Sequence, residues 1–361
     1  MTEKDFILNK ADTLNLDQGS FTWQSPSNIA LVKYWGKSDP QIPKNPSISF
    51  TLNNCHTTTL LEFSKKAKPD NNFSIQVIFE GRINEDFKPK IIKFFQRIEK
   101  YVPFITAYDF VLKTENSFPH SSGIASSASG LSALALCIMS IEKELYPDIS
   151  LEYFNKKASF LSRLGSGSAA RSVEGEVVVW GQHEDIENSS DLYGIKFNKH
   201  IHEHFKNYQD TILLVDKGEK QVSSTVGHNL MHQHPYAEKR FEQANENITK
   251  LTEILQSGDL KAFIKLVESE ALTLHAMMMT SDPYFILMKP NTLKIIEKIW
   301  AYRHQNDSNI CFTLDAGANV HVLFPKNEKD SIHRFITEEL LGFCQNNQYI
   351  CDKTGIGARQ V

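Results

Sequence analysis

The stretch Phe118–Gly130, FPHSSGIASSASG, concentrates small residues and hydroxyls directly ahead of the apolar segment LSALALCIMSIEKEL. Small side chains let backbone N–H groups approach an anion closely. A helix beginning there adds unsatisfied N–H groups and the positive end of its dipole. Serine hydroxyls supply further donors, or a ligand for a phosphate-bound Mg²⁺. A flexible linker of the same composition would not open straight into an apolar helix. The chemistry this segment offers is phosphate binding.

Two commoner nucleotide-binding patterns fail. The P-loop needs G-x-x-x-x-G-K-[ST], yet Leu31 stands where its first glycine belongs ahead of Gly36-Lys37-Ser38. Gly165–Ala170, GSGSAA, formally fits the dinucleotide pattern G-x-G-x-x-A. It follows a helical-looking stretch, Leu151–Leu164, and precedes a strand-like one, Val177–Trp180, whereas the dinucleotide turn runs from strand to helix. Ser166, Ser168 and Arg171 remain good phosphate or carboxylate ligands. The bland alternative is a Gly-Ser turn with an exposed arginine.

Ser27–Lys37 reads SNIALVKYWGK. In an extended segment Lys33 and Lys37 face one side and Tyr34 the other, so two ammonium groups form a clamp for a polyanion. A solvated strand with its lysine stems packed on Trp35 is the competing reading. Asp315, in TLDAGAN, sits at a strand end in a tight turn, where a carboxylate can orient and deprotonate a hydroxyl or merely shape the turn. His228 and His232 are spaced i, i+4 and His234 follows, but no cysteine lies beside them and Pro235 interrupts a helix. Exposed histidines are therefore expected there rather than a zinc site.

Taken together, NIALVKYWGK, FPHSSGIASSASG, GSGSAARS and FTLDAGAN closely resemble the mevalonate diphosphate decarboxylases, from about Ser25 to Phe324 and in family order. Those enzymes are a branch of the small-molecule kinases that include galactokinase, homoserine kinase and mevalonate kinase. The resemblance implies an α+β, two-domain fold with a ribosomal-protein-S5-like N-terminal domain, a ferredoxin-like C-terminal domain and the active site in the cleft between them. It also implies a homodimer, and ATP-dependent conversion of (R)-5-diphosphomevalonate to isopentenyl diphosphate through 3-phosphorylation. By similarity Asp315 and Lys33 are catalytic, while Tyr34, Lys37, Ser166, Ser168, Arg171 and Ser223 bind substrate. Ser122, Gly123, Ile124, Ala125, Ser126, Ser127 and Ala128 would cradle ATP, with Ser127 touching Mg²⁺.

Some positions depart from the family pattern. Pro46 replaces a serine in KNPSISF, whose Asn45, Ser47 and Ser49 offer polar contacts. Ala318 stands where proline is common, and His228 where methionine is expected. Three other activities stay open: decarboxylation of the 5-monophosphate, a kinase that stops at 3-phosphorylation, and a non-catalytic metabolite sensor.

Positioning these groups calls for alternating strands and helices. Alternation at Thr57–Phe63 and Phe73–Phe79 predicts two strands separated by the polar SKKAKPDNN turn. Apolar spacing predicts helices at Lys88–Lys100, Tyr236–Leu255 and Leu260–Met279. Thr211–Asp216, Ile310–Leu314 and Val320–Phe324 read as strands, and irregular alternation of the two element types favours α+β. A polar stretch at 183–204 places the domain boundary near 205: 1–205 for the ATP and phosphate side, 206–361 for the side bearing Asp315.

The 361 residues are 41% hydrophobic and 23% charged, and 39 basic against 43 acidic residues give a net charge of −4. That balance gives no electrostatic support for nucleic-acid or membrane-surface binding. Cys55, Cys137, Cys311, Cys344 and Cys351 are scattered without a C-x-x-C pair, against a disulfide framework. The polar N-terminus and an apolar run of only Leu131–Ile141 lead to the expectation of a soluble cytoplasmic protein.

Overall fold

The structure, a computed structural model, describes residues 1–8, 16–68, 70, 72–119, 124–217 and 224–361, with the side chains of Ser224 and Thr225 excepted. Strands in the first part are β1 (Gln18–Val32), β2 (Lys37–Ser38), β3 (Ile42–Pro43), β4 (Ser47–Lys65), β5 (Ser74–Phe79), β6 (Arg82–Ile83), β7 (Tyr108–Asn116), β8 (Val177–Trp180) and β9 (Ile195–Lys196). Those that follow are β10 (Gln209–Leu213), β11 (Cys311–Thr313), β12 (Val320–Phe324), β13 (Tyr349–Lys353) and β14 (Arg359–Gln360). The helices are α1 (Lys88–Ile98), α2 (Ser126–Leu145), α3 (Leu151–Gly165), α4 (Ser224–Asn229), α5 (Ala237–Ser257), α6 (Leu260–Met279), α7 (Pro290–Asn306) and α8 (Lys329–Phe335).

The large sheet runs β14-β1-β4-β7-β5-β6, with β8 pairing β4 and β9 beyond it. Strand β4 pairs β1 along one edge and is long enough to serve two neighbours along the other, β7 through Thr57–Lys65 and β8 through Ser47–Phe50. The second sheet, β11-β12-β10-β13, is antiparallel throughout. These two units give the α+β, two-domain architecture that the sequence leads one to expect.

The two strands expected on either side of SKKAKPDNN both form, as β4 and β5, but they are not neighbours in the sheet. Strand β7 lies between β4 and β5, antiparallel to the first and parallel to the second. Its alternating YDFVLKTEN supplies buried Tyr108, Phe110 and Leu112 to the core, and that pattern is a strand signal in its own right.

Helix α2 is apolar on nearly every side and buried without a break from Leu131 to Glu142, so it forms the centre of the first layer against β1, β4 and α3. Its one buried acid, Glu142, accepts from Lys157 of α3 at 2.8 Å, and both side chains are fully buried. None of the described helices is long and apolar enough to cross a membrane. All five cysteines are free thiols, with only Cys351 exposed.

The end of the chain returns to the first sheet. Gly355 N donates to Thr51 O and Gly355 O accepts from the Thr51 hydroxyl, Ala358 N donates to Val173 O, and β14 pairs Trp23 and Gln24 of β1. Gly175 and Gly357 touch there, and a Cβ on Gly175 would fall 2.2 Å from Gly357 N, so only glycine fits.

Candidate active site

Strand β1 carries two register shifts, between Pro26 and Asn28 and between Ala30 and Val32. Such irregularities turn a strand and re-aim its side chains. The strand ends at Val32, and Gly36 takes φ +96°, a left-handed conformation that redirects the chain. Lys33, Tyr34 and Lys37 therefore all line one cleft of about 280 Å³. The expectation that Tyr34 faces away from the lysines is corrected, because its premise of an extended segment through residue 37 does not hold. The Tyr34 hydroxyl is buried without a hydrogen-bond partner among the described residues, which suits a ligand oxygen.

Across the cleft stand the start of α2 and the Gly165–Arg171 turn. Ala125 caps α2 in the left-handed region, φ 42° and ψ 40°, and among the described residues no side chain caps the helix. Ala128 N–H closes onto Ala125 O at 2.7 Å, so the N–H groups of Ser126 and Ser127 are the ones that face a ligand. Ala125, Ser126 and Ser127 line the cleft, as do Ser166 and Ser168. Ser127 Oγ and Ser166 Oγ are 3.4 Å apart. Ile124 and Ala128 instead pack into the core, so neither side chain joins the cradle. Ser122, Gly123 and Ser223 lie outside the described residues.

Arg171 lines the same cleft, only 3% exposed. Its Nη1 donates to Ser47 Oγ at 2.6 Å and its Nε to Asn28 Oδ1 at 3.3 Å. Burial pulls its pKa down to about 10, leaving the guanidinium charged at neutral pH. Ser47 and Asn45 serve the site from behind: Ser47 orients Arg171, and Asn45 Nδ2 donates to Lys33 O at 3.0 Å. Asn28, Gln41 and Lys90 also line the cleft and carry no signal in single-sequence chemistry beyond polarity.

Lys33 and Asp315 meet in the middle. Lys33 Nζ donates to Asp315 Oδ1 at 3.4 Å, with side-chain exposures of 1% and 32%. Burial lowers the lysine pKa and the Asp315 carboxylate opposes that shift. Helix α6 sets the spacing of the pair through one face. Glu270 accepts the Lys33 backbone N–H at 2.8 Å, Leu274 lines the cleft, and His275 Nε2 donates to Asp315 O at 3.2 Å. Burial lowers the His275 pKa to about 4, so the ring is neutral.

Glu270 is itself held by Arg240 of α5, through Nη1 at 3.0 Å and Nη2 at 2.5 Å, and by Asn247 Nδ2 at 2.6 Å. Nothing in the local sequence marks Glu270, Arg240 or His275, because each acts through a contact distant along the chain.

A second, apolar pocket of about 160 Å³ adjoins the cleft. Val77, Ile91, Leu112, Leu131 and Leu134 line it, and it shares Lys90, Ser126 and Ser127 with the cleft. Among the described residues no three His, Cys, Asp or Glu side chains gather as metal ligands. The expectation of exposed histidines holds for His232, but His228 and His234 are buried, His234 against Met277 O.

A serine-lined, uncapped helix start facing a lysine–aspartate pair across an interdomain cleft defines an ATP-dependent enzyme acting on a small anionic molecule. Residues 25–191 match the family model of the diphosphomevalonate decarboxylase-like N-terminal domain, and residues 211–357 that of the mevalonate 5-diphosphate decarboxylase C-terminal domain. The chain belongs to the diphosphomevalonate decarboxylase family. The diphosphomevalonate decarboxylase of Ganoderma lucidum is 26% identical over 338 residues, covering 88% of this chain and 81% of that protein. The complex of MDDEF with MVAPP, AMPPCP and magnesium superposes with a TM-score of 0.81 at 26% identity, over 95% of this chain and 99% of the other. Mevalonate diphosphate decarboxylase from Staphylococcus aureus gives a TM-score of 0.80 at 26% identity, over 95% and 98%.

Proposed function

We infer that this protein converts (R)-5-diphosphomevalonate and ATP to isopentenyl diphosphate, ADP, phosphate and CO₂. The observation that carries this reading is the 3.4 Å Lys33–Asp315 contact, set opposite the uncapped start of α2 and beside buried Arg171 in one cleft. A simple anion-binding site would need the cations but not the carboxylate.

Asp315 accepts the proton of the substrate's tertiary C3 hydroxyl as that oxygen attacks the γ-phosphorus of ATP. The C3 oxygen becomes a phosphate leaving group. Its departure takes the C–O electron pair, and the electrons of the breaking C–C bond to the carboxylate form the alkene and release CO₂. Lys33 holds the substrate carboxylate and hydroxyl beside Asp315, so positioning and fixed charge supply most of the rate. Arg171, Lys37, Tyr34, Ser166 and Ser168 hold the diphosphate.

The apolar pocket beside Ser126 and Ser127 suits a purine, and the helix start suits the triphosphate. Ser127 would hold the Mg²⁺ that accompanies the nucleotide, and that ion would supply charge neutralisation at the phosphates. In this reading residues 1–205 bind nucleotide and residues 206–361 deliver Asp315. The protein works as a cytoplasmic homodimer, and sedimentation of the purified protein checks the dimer.

Release of labelled CO₂ from diphospho- and monophosphomevalonate, side by side, tests the assignment. Preference for the monophosphate overturns the substrate, and ADP formation without CO₂ overturns the decarboxylation. Arg171→Ala is expected to raise KM for the diphosphate substrate by about 100-fold, since charge-assisted bonds to a desolvated anion are lost. An unchanged KM would remove Arg171 from the site. Ser127→Ala is expected to raise KM for MgATP and lower kcat by about tenfold each, leaving diphosphomevalonate affinity near wild type. Equal loss of both affinities would place Ser127 elsewhere in the mechanism.

A further inference from the structure

One side chain lining the cleft has no part in this chemistry. His228 of α4 is 7% exposed, with its ring centroid 4.2 Å from that of Tyr34 and 4.8 Å from that of Trp35. Its Nδ1 accepts the backbone N–H of Gly36 at 3.0 Å. A ring nitrogen that accepts from an amide carries no proton, so the neutral ring holds its proton on Nε2. That Nε2–H has no hydrogen-bond partner among the described residues. Burial pulls the ring pKa down to about 3, and the charges of Lys37 and Arg171 push it the same way. The ring is therefore a neutral donor at physiological pH, placed where those two cations both act on it.

We propose that His228 is a specificity residue for the substrate's phosphate chain, its Nε2–H donating to a phosphoryl oxygen held between Lys37 and Arg171. The proposal rests on the reading of the cleft as a diphosphomevalonate site. A neutral donor suits this position for a physical reason. Lys33, Lys37 and Arg171 already crowd positive charge into a buried cleft, and a further cation would depress the pKa of each. An imidazole N–H adds a directed bond at no cost in like-charge repulsion. The Gly36 contact serves the same end, because it fixes both the tautomer and the ring plane.

Three variants separate the cavity donor from the loop anchor. His228→Met removes both roles, His228→Asn keeps an acceptor for Gly36 N–H, and His228→Gln keeps a donor near the Nε2 position. His228→Met and His228→Asn are expected to raise KM for diphosphomevalonate about tenfold, with KM for MgATP and kcat near wild type. His228→Gln is expected to recover most of that loss. The reverse order, with asparagine rescuing and glutamine failing, would assign His228 to anchoring the Gly36 turn and overturn the proposal. A second readout stands apart from turnover. The ¹⁵N resonance of His228 Nε2 should report the Nε2–H tautomer in the free protein and shift when inorganic pyrophosphate is added. An unmoved resonance at saturating pyrophosphate also overturns the proposal. A wild-type protein that binds pyrophosphate through His228 yet releases no CO₂ from diphosphomevalonate would instead count against the assigned reaction.

Discussion

Asp315→Asn is expected to lower kcat by about 10³-fold or more while the fold and both substrate affinities stay close to wild type. The carboxylate sits at the mouth of the turn between β11 and β12, and its backbone is tied to α6 by His275 rather than by its own side chain. Asparagine preserves the shape and the turn, so the loss is confined to proton acceptance and charge. The amide cannot take the C3 hydroxyl proton, and phosphoryl transfer and CO₂ release should fall together because one waits on the other. A side effect follows from the pair: Asp315 is the main group opposing the burial-driven fall of the Lys33 pKa, so the substitution should make Lys33 easier to deprotonate. Steady-state kinetics with product analysis for both ADP and CO₂ decides the matter. Near-wild-type turnover in a folded variant would reduce Asp315 to a turn residue and sink the mechanism.

The second large effect is on stability. Glu270 and Arg240 form a bidentate pair at 0% and 1% side-chain exposure, and Glu270 also takes the N–H of Lys33 and the amide of Asn247. Glu270→Ala leaves the buried Arg240 guanidinium without its counter-charge, and the Lys33 N–H and the Asn247 amide without this acceptor. Breaking one side of such a pair costs about 3–5 kcal/mol, which chemical denaturation will register as a lower midpoint. The double variant Glu270→Leu with Arg240→Met should regain a large part of that loss, since neither charge is then stranded. Its kcat should stay below wild type, because the Lys33 N–H still lacks the carboxylate that positioned it. A double variant as unstable as the single one would show that shape, not charge, governs this contact.

Local motifs made the centre of the site legible. Lys33, Tyr34, Lys37, Ser126, Ser127, Ser166, Ser168, Arg171 and Asp315 all line one cleft, and each sits in a short segment whose residue types announce anion or proton chemistry. The supports were not legible for a physical reason. Glu270 reads as one acid in an amphipathic helix, and its meaning arises only when α6 meets the end of β1, 237 residues away in sequence. Asn28 reads as a strand polar residue until Arg171 reaches it. Strand order failed in the same way: alternation identifies β4 and β5 as strands but is silent on β7 lying between them. Hydrophobic period reports which face is buried, not which neighbour buries it.

The return of β14 to β1 bears on how the protein comes apart. The strand edged by Arg359–Gln360 is the one whose far end delivers Lys33, and the Gly175–Gly357 contact locks the returning segment in place. Loosening the second unit would strip an edge strand from the first, so the two cannot melt as independent beads. Calorimetry should therefore record one cooperative transition, with the calorimetric and van't Hoff enthalpies in agreement. Pulling on the chain from residue 361 would peel β14 away first and strain the catalytic strand before any helix of the second unit is touched.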